Sequence, residues 1–264
     1  MIEQIEIPES FPGPGEVAGK RVVITGASRG LGALLAHAFS QAGACVALVA
    51  RTERDLKAVA AALPGASLVL SGDVTDEDFN EAVADATAAE WGGVDAWICN
   101  AGISPVVAGP RETEAATWRQ VIEVNLTGSF LGARAAARVM GEGGRLIFTG
   151  SVLGERPRKG LSAYSASKAG LVGVAKGLAL DLAPAGITVN VVAPGPIRTD
   201  MFYDVVEAGS ERERALAASV PVRRLGESAD VARAVRFFAD PANSFVTGQV
   251  LYVCGGTSVG SLAL

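Results

Sequence analysis

Tyr164 and Lys168 stand four positions apart in "AYSASKAG", residues 163–170. On a helix that spacing puts both side chains on one face. A phenol ordinarily titrates near about 10, too high to trade protons at neutral pH. A neighbouring ammonium favours the phenolate and lowers that value. A phenol tuned in this way can exchange a proton with an alcohol or a carbonyl oxygen. Ser151 closes the run "RLIFTGS", where its hydroxyl would hold a substrate oxygen. Asn125, in "VIEVNLTG", falls inside a helix pattern that asparagine suits poorly. It would bend the helix and bind a water that connects to Lys168.

Proton exchange at a carbonyl needs an electron-pair partner, and a second motif points to one. "VVITGASRGLGALLAHAF" reads as a strand, a glycine-rich turn and a helix, with Gly26, Gly30 and Gly32 in a G-x-x-x-G-x-G pattern. Glycine permits a tight turn and close backbone approach. The helix that follows offers free N–H groups and a positive dipole end, which suit a pyrophosphate. The end of the second strand should meet the adenosine ribose, where a carboxylate would accept from both hydroxyls. Here "ALVART" places Arg51 at that point, and Arg29 lies inside the glycine loop. A guanidinium suits a 2′-phosphate, so NADP(H) is the expected cofactor, with NAD(H) the alternative. Asp73, in "SGDV" with Val74, is placed to accept from the adenine amino group or to cap a turn.

These residues need a frame, and the pattern describes one. Apolar runs such as "KRVVIT", "CVALVA", "GRLIFTGS" and "ITVNVVAPG" alternate with helix-patterned stretches, ending in "GQVLYVCGG". Strands apolar throughout and separated by helices imply α/β architecture: a doubly wound parallel sheet with helices on both faces. "TWRQVIEVNLTGSFLGARAAARVM" reads as one long helix, residues 163–183 as another, and "SADVARAVRFFAD" as a helix capped by Ser228. No internal domain boundary shows. Residues 1–18 read as a polar N-terminal arm and 19–264 as one catalytic domain. The segment 198–226 breaks the rhythm and is a candidate substrate loop.

Composition narrows the class. The chain has 264 residues, 49 % hydrophobic and 19 % charged, with net charge −5. That balance argues for a compact domain and against a nucleic-acid binder. "RPRK" at 156–159 is the densest basic run. No apolar run reaches the ~18 residues of a spanning helix, so no membrane association is expected. Cys45, Cys99 and Cys254 are far apart and lack metal-ligand spacing; buried reduced thiols, no metal site and a cytoplasmic location follow as expectations. His37 reads as a packing or helix-surface residue.

With "TGASRGLG", "NAG" at 100–102, Asn125, Ser151, "YSASK" and "PGPIRTDM" in order, the chain resembles the short-chain dehydrogenase/reductase family from about residue 19 to 256. The resemblance implies a Rossmann-type fold of seven strands, an NAD(P)-dependent oxidoreductase and a homotetramer, a dimer of dimers. It implies Tyr164 as acid/base, Ser151 as the residue polarising the substrate, Lys168 as the group that tunes Tyr164 and binds the nicotinamide ribose, and Asn125 as the end of a proton relay. Implied cofactor contacts are Gly26, Ser28, Arg29, Gly30, Leu31 and Gly32 in the loop, and Arg51, Asp73 and Val74 beside the adenosine. Asn100, Ala101 and Gly102 follow the fourth strand; Tyr164, Lys168, Pro194, Gly195, Ile197 and Thr199 complete the set.

Two departures stand out: Cys254 precedes Gly255 and Gly256 where the family often has aspartate, and "FTG" precedes Ser151 where "ISS"-like sequences are frequent. The expected substrate is a small-molecule secondary alcohol or ketone, such as a 3-oxoacyl thioester or a small or cyclic ketone. Gly154, Leu161 and Phe202 are candidate pocket contacts. The alternatives are an NAD-dependent sugar or secondary-alcohol dehydrogenase, and a non-catalytic NADP(H)-binding sensor.

Overall fold

The computed structural model describes residues 17–104 and 107–260. Residues 1–16 of the expected arm lie outside the described residues, but Val17 is 1 % exposed and packs in the core. The ordered domain therefore takes in at least part of the segment read as arm.

In chain order the elements are β1 (Arg21–Thr25), α1 (Gly30–Gln41), β2 (Cys45–Ala50), α2 (Glu53–Ala62), β3 (Ser67–Ser71) and α3 (Glu77–Trp91). There follow β4 (Ala96–Cys99), α4 (Ala115–Ile122), α5 (Gly128–Val139), β5 (Arg145–Thr149), α6 (Ser162–Leu182) and β6 (Thr188–Pro194). The chain continues through β7 (Ile197–Arg198), α7 (Asp200–Tyr203), α8 (Glu211–Ser219), β8 (Gly226–Glu227), α9 (Ser228–Ala239) and β9 (Val250–Val253). Seven strands form one parallel sheet in the order β3-β2-β1-β4-β5-β6-β9; β7 and β8 pair separately.

Side chains alternate across each strand, so successive residues enter opposite layers. Val22 and Ile24 of β1 pack with α1, α2 and α9. Val23, between them, packs in the layer of α3, α5 and α6. Because both faces are covered, these strands carry apolar residues at nearly every position.

Three local readings change. The long helix expected over residues 117–140 is α4, a π turn over Glu123–Thr127 and then α5. The π turn takes in Asn125, which the sequence pattern marks as the misfit; such turns concentrate at functional sites. Helix α9 opens on a capping box between Glu227 and Asp230, one residue before the Ser228 cap expected. The two carboxylates reciprocally take up N–H groups that the first turn leaves free, so Ser228 becomes the first helical residue. The segment 198–226 is no open loop; it holds α7, α8 and the short β7–β8 pair.

Cys99 and Cys254 are buried, whereas Cys45 is only half-buried, at the start of β2. His37 is buried, and burial pushes its pKa down.

Helix α6 carries both Tyr164 and Lys168, and Leu171 on the same helix is fully buried against the sheet. Leu171→Ala should lower stability by ~2–5 kcal/mol, read as a fall in the urea midpoint with little change in slope.

Candidate active site

The strand order reverses direction at β1, with β2 and β3 on one side and β4, β5 and β6 on the other. Beyond the carboxyl ends of β1 and β4 such a reversal leaves a crevice. Thr25 and Asn100 brace it. The Thr25 hydroxyl oxygen accepts from the Asn100 and Ala101 N–H groups, both at 3.0 Å. The Asn100 amide nitrogen donates to the Thr25 carbonyl at 3.0 Å, and its amide oxygen accepts from the Thr149 hydroxyl at 3.3 Å. Three strand ends are thus tied through one side chain.

The glycine loop folds over this brace. Gly26 (φ +69) and Gly30 (φ +53) take backbone angles that L-residues rarely adopt. A Cβ on Gly26 would lie 2.9 Å from Ala101 Cα, and one on Gly32 would lie 2.1 Å from the Gly26 carbonyl oxygen. The first turn of α1 has no side-chain cap, which leaves its N–H groups for an anion. Arg29 and Arg51 are exposed and form no ion pair among the described residues. Ser28 and Leu31 are half-buried beside them. Asp73 is exposed and accepts from the Thr75 N–H and hydroxyl, both at 2.9 Å, the turn-capping role. Val74 is buried, and its carbonyl accepts from Asn80 at 2.8 Å. A side-chain-free cradle, an uncapped helix start and two free guanidiniums fit a phosphorylated dinucleotide.

Tyr164 and Lys168 reach the same crevice from the first turns of α6. The Lys168 ammonium lies 5.7 Å from the Tyr164 ring centroid and donates to the Thr149 carbonyl at 2.7 Å. Burial pushes its pKa down to about 8. The expected effect on the phenol is corrected here. Tyr164 is half-buried; burial raises its pKa, and the nearby Ser151 hydroxyl opposes the rise. The ammonium lies against the ring and donates to the Thr149 carbonyl. Ser151 Oγ also accepts from the Leu153 N–H at 3.1 Å, which fixes the hydroxyl at the end of β5.

Asn125 is fully buried. Its amide oxygen accepts from the Ile103 N–H at 2.8 Å; its amide nitrogen donates to the Ile103 carbonyl at 2.9 Å and to Ser167 Oγ at 3.1 Å. The carboxamide therefore staples the chain after β4 to the π turn and α6. The residue's other acceptor is its main-chain carbonyl, which accepts from Ser129 Oγ at 2.9 Å. Gly102 sits between the two groups: a Cβ there would lie 3.3 Å from Asn125 Oδ1 and 3.5 Å from Lys168 Nζ.

The last expected contacts follow β6. Pro194 pairs with Val253, and the Gly195 N–H donates to the Val253 carbonyl at 2.9 Å. A Cβ on Gly195 would lie 2.7 Å from Cys254 Cα, so this turn needs glycine. The Ile197 side chain is buried against Gly226. Thr199 caps α7, accepting from the Phe202 N–H at 3.3 Å. Gly154 packs on the backbone of α6, Leu161 precedes the first turn of α6, and Phe202 stacks edge-on with Tyr203. Thr25, Thr149, Ile103 and Ser167 belong to the site and were missed by sequence reasoning. Thr149 and Ser167 stood within quoted motifs, but the acceptor atoms of Thr149 and Ile103 are backbone and carry no side-chain signal.

This fold and cleft define a dinucleotide-dependent oxidoreductase. A family model described as Enoyl-(Acyl carrier protein) reductase matches residues 26–258. The 3-oxoacyl-[acyl-carrier-protein] reductase FabG of Escherichia coli is 40 % identical over 243 residues, 90 % of this chain and 97 % of that one. The cis-4-hydroxycyclohexanecarboxylate dehydrogenase of Sinomonas cyclohexanicum is 39 % identical over 92 % of this chain and 98 % of its own. A short-chain dehydrogenase from Burkholderia cenocepacia, solved in complex with NADP, superposes with a TM-score of 0.86 at 35 % identity, covering 93 % of this chain and all (100 %) of that one. The chain belongs to the short-chain dehydrogenase/reductase family and is an NAD(P)-dependent oxidoreductase. No described helix is long and apolar enough to cross a membrane.

Gly32→Ala brings a methyl group onto the Gly26 carbonyl. The variant should keep its far-ultraviolet circular dichroism and lose cofactor binding by at least about tenfold, measured by nucleotide fluorescence titration.

Proposed function

We propose that this protein is an NADP(H)-dependent oxidoreductase that interconverts a secondary alcohol and a ketone, with Tyr164 as its acid/base. The observation that carries the reading is the convergence at the crevice of the Ser151 hydroxyl, the Tyr164 phenol and the buried Lys168 ammonium, which lies 5.7 Å from the Tyr164 ring centroid. The glycine loop holds the pyrophosphate, Arg29 and Arg51 take the 2′-phosphate, and Asp73 keeps one oxygen for the adenine. Asn100, Ala101 and Gly102 line the adenosine side; Pro194, Gly195, Ile197 and Thr199 line the nicotinamide side.

When bound, NADP(H) supplies or accepts the hydride. In reduction the Ser151 hydroxyl donates to the substrate carbonyl oxygen and orients it. Tyr164 donates its proton to that oxygen as the carbon accepts hydride, and the product is the alcohol. Burial keeps the phenol protonated through the neutral range, which suits an acid. Lys168 binds the ribose hydroxyls and helps return a proton to Tyr164. The Asn125 carboxamide is committed to Ile103 and Ser167, so the residue would enter that relay through the second lone pair of its main-chain carbonyl, which already accepts from Ser129 Oγ at 2.9 Å. Oxidation reverses the steps and needs the phenolate.

Two substrate classes have support in the similar proteins: 3-oxoacyl thioesters, from the FabG proteins, and ring-bearing alcohols or ketones, from the cyclohexanecarboxylate dehydrogenase and a levodione reductase of TM-score 0.87 and 31 % identity. A glucose 1-dehydrogenase of Gluconobacter oxydans, 35 % identical, keeps a sugar substrate as a further arm of the test. The reading extends to a homotetramer, supported by the open edge of β9 and the exposed Ala166, Ala169, Gly173 and Gly177 on α6. It extends also to the cytoplasm, supported by three free thiols.

Absorbance of NADPH, followed against 3-oxoacyl thioesters, cyclic ketones and sugars, tests the activity; tight NADPH binding with no consumption in any arm would favour the sensor. Tyr164→Phe should lose about 10²–10⁴-fold in turnover and keep cofactor affinity. In the wild type, kcat/KM for reduction should be level at neutral pH and fall as pH rises through about 8, where Lys168 gives up its charge. The reverse reaction should gain with pH, because burial raises the Tyr164 pKa and leaves little phenolate at neutrality. Arg51→Ala should weaken NADPH by about tenfold while changing NADH little, read from paired Kd measurements; equal effects on both cofactors would refute the 2′-phosphate assignment.

A further inference from the structure

One carboxylate gathers donors from the first half of the segment 198–226. Glu213, on α8, is 8 % exposed. Its Oε1 accepts from Arg198 Nε and from the Tyr203 hydroxyl, both at 3.1 Å. Its Oε2 accepts from the Gly209 N–H at 2.7 Å. Its own N–H donates to Ser210 Oγ at 3.1 Å, fixing the start of α8. The donors belong to β7, to α7 and to the turn that joins α7 to α8, so three otherwise separate pieces close on one group.

The pieces lead to the cleft. Arg198 immediately precedes Thr199, the cap of α7 and an expected cofactor contact. Asp200, the first residue of α7, lies over the phosphate loop: a Cβ on Gly30 would stand 3.6 Å from Asp200 Oδ2. The short α7, only Asp200–Tyr203, cannot hold itself in place. Met201 and Tyr203 are 39 % and 37 % exposed, and Phe202 between them is half-buried. Charge-assisted hydrogen bonds to a buried carboxylate are stronger than neutral ones, and the Tyr203 hydroxyl makes one of them from α7 itself, beside the buried Val206 that follows the helix.

We propose that Glu213 is a positioning residue for the cofactor, clasping β7, α7 and the Gly209 turn so that Thr199 and α7 stay closed over the glycine loop. The inference rests on the dinucleotide reading of the cleft. Cofactor exchange then requires α7 to lift, and the clasp sets how often it does. A carboxylate suits the task because Arg198, Tyr203 and Gly209 all present donors, and no neutral side chain offers as many acceptor sites. Arg198 has a second acceptor in Glu227 Oε1 at 2.7 Å. Loss of Glu213 therefore leaves Arg198 paired and frees α7 and α8 selectively.

Stopped-flow release of NADPH, read by its fluorescence, tests this in the full chain. Glu213→Ala should release NADPH about tenfold faster, with KM for NADPH rising more than kcat falls. Glu213→Gln keeps one acceptor oxygen and should fall between. Tyr203→Phe removes a single donor and should speed release about two- to threefold without disturbing the fold. Folded variants that release NADPH at the wild-type rate, with only the melting temperature lowered, would overturn the clasp and leave the oxidoreductase reading intact. Wild-type protein that binds neither NADPH nor NADH would overturn both.

Discussion

An ammonium held inside the protein organises this cleft. Lys168 is 4 % exposed and donates to the Thr149 carbonyl at 2.7 Å. One neutral acceptor does not replace the hydration an ammonium loses on burial, so its pKa falls to about 8. The sign of the linkage follows. Between about 8 and the unfolded value the unfolded chain binds more protons, so stability rises with pH across that window. Below about 8 the full penalty stands, on the order of 3 kcal/mol. The protein retains an arrangement that weakens its own fold at neutral pH. Hydroxyl groups brought by a ligand would relieve that penalty, and any group that binds only the folded state stabilises it.

Holding that charge requires a rigid surround, and the neighbouring hydrogen bonds supply it. Thr149, the acceptor of the ammonium, is tied by its own hydroxyl to Asn100, and Asn100 is tied to Thr25. On the other side Asn125 binds both backbone groups of Ile103 and the hydroxyl of Ser167, the neighbour of Lys168. Ser167 in turn donates to the Tyr164 carbonyl at 2.7 Å. The π turn at Glu123–Thr127 lets Asn125 reach inward without breaking the helical run. A buried polar network of this kind is costly if incomplete and rigid when satisfied, and here the carboxamide and its neighbours are paired.

Much of this is legible in the sequence, for physical reasons. Strands such as "CVALVA" announce themselves because a strand buried on both faces leaves little room for polar residues. The glycines of "TGASRGLG" are readable because their φ values and close approaches forbid a side chain. Asn125 was readable as a misfit, though its partner was not: Ile103 contributes backbone atoms, which any residue carries. The sense of the Tyr164 shift could not be read from the i, i+4 spacing. Spacing places the ammonium on the same face, but the shift follows burial, which spacing does not show. The capping of α9 went to Glu227 because a reciprocal pair with Asp230 outcompetes a lone serine. The clasp at Glu213 left no motif, since its donors lie far apart in type and are joined only by folding.

The two ends of the cleft differ in how they are built, and that difference bears on the reaction. The β1–β4–β5 end is braced by buried hydrogen bonds across a sheet. The far end is a four-residue helix and its neighbours, gathered by one carboxylate. Chemistry that transfers a hydride across a short gap needs fixed donors and acceptors on one side. Exchange of a large cofactor needs a wall that moves on the other. Elements that open are drawn from the least stable parts of a fold, and α7, with its exposed Met201, Tyr203 and Val205 just beyond, fits that description. On the proposed reading, a rigid wall carrying Tyr164 and Ser151 facing a clasped, displaceable one would let the cleft keep the two hydroxyls in register while the dinucleotide exchanges.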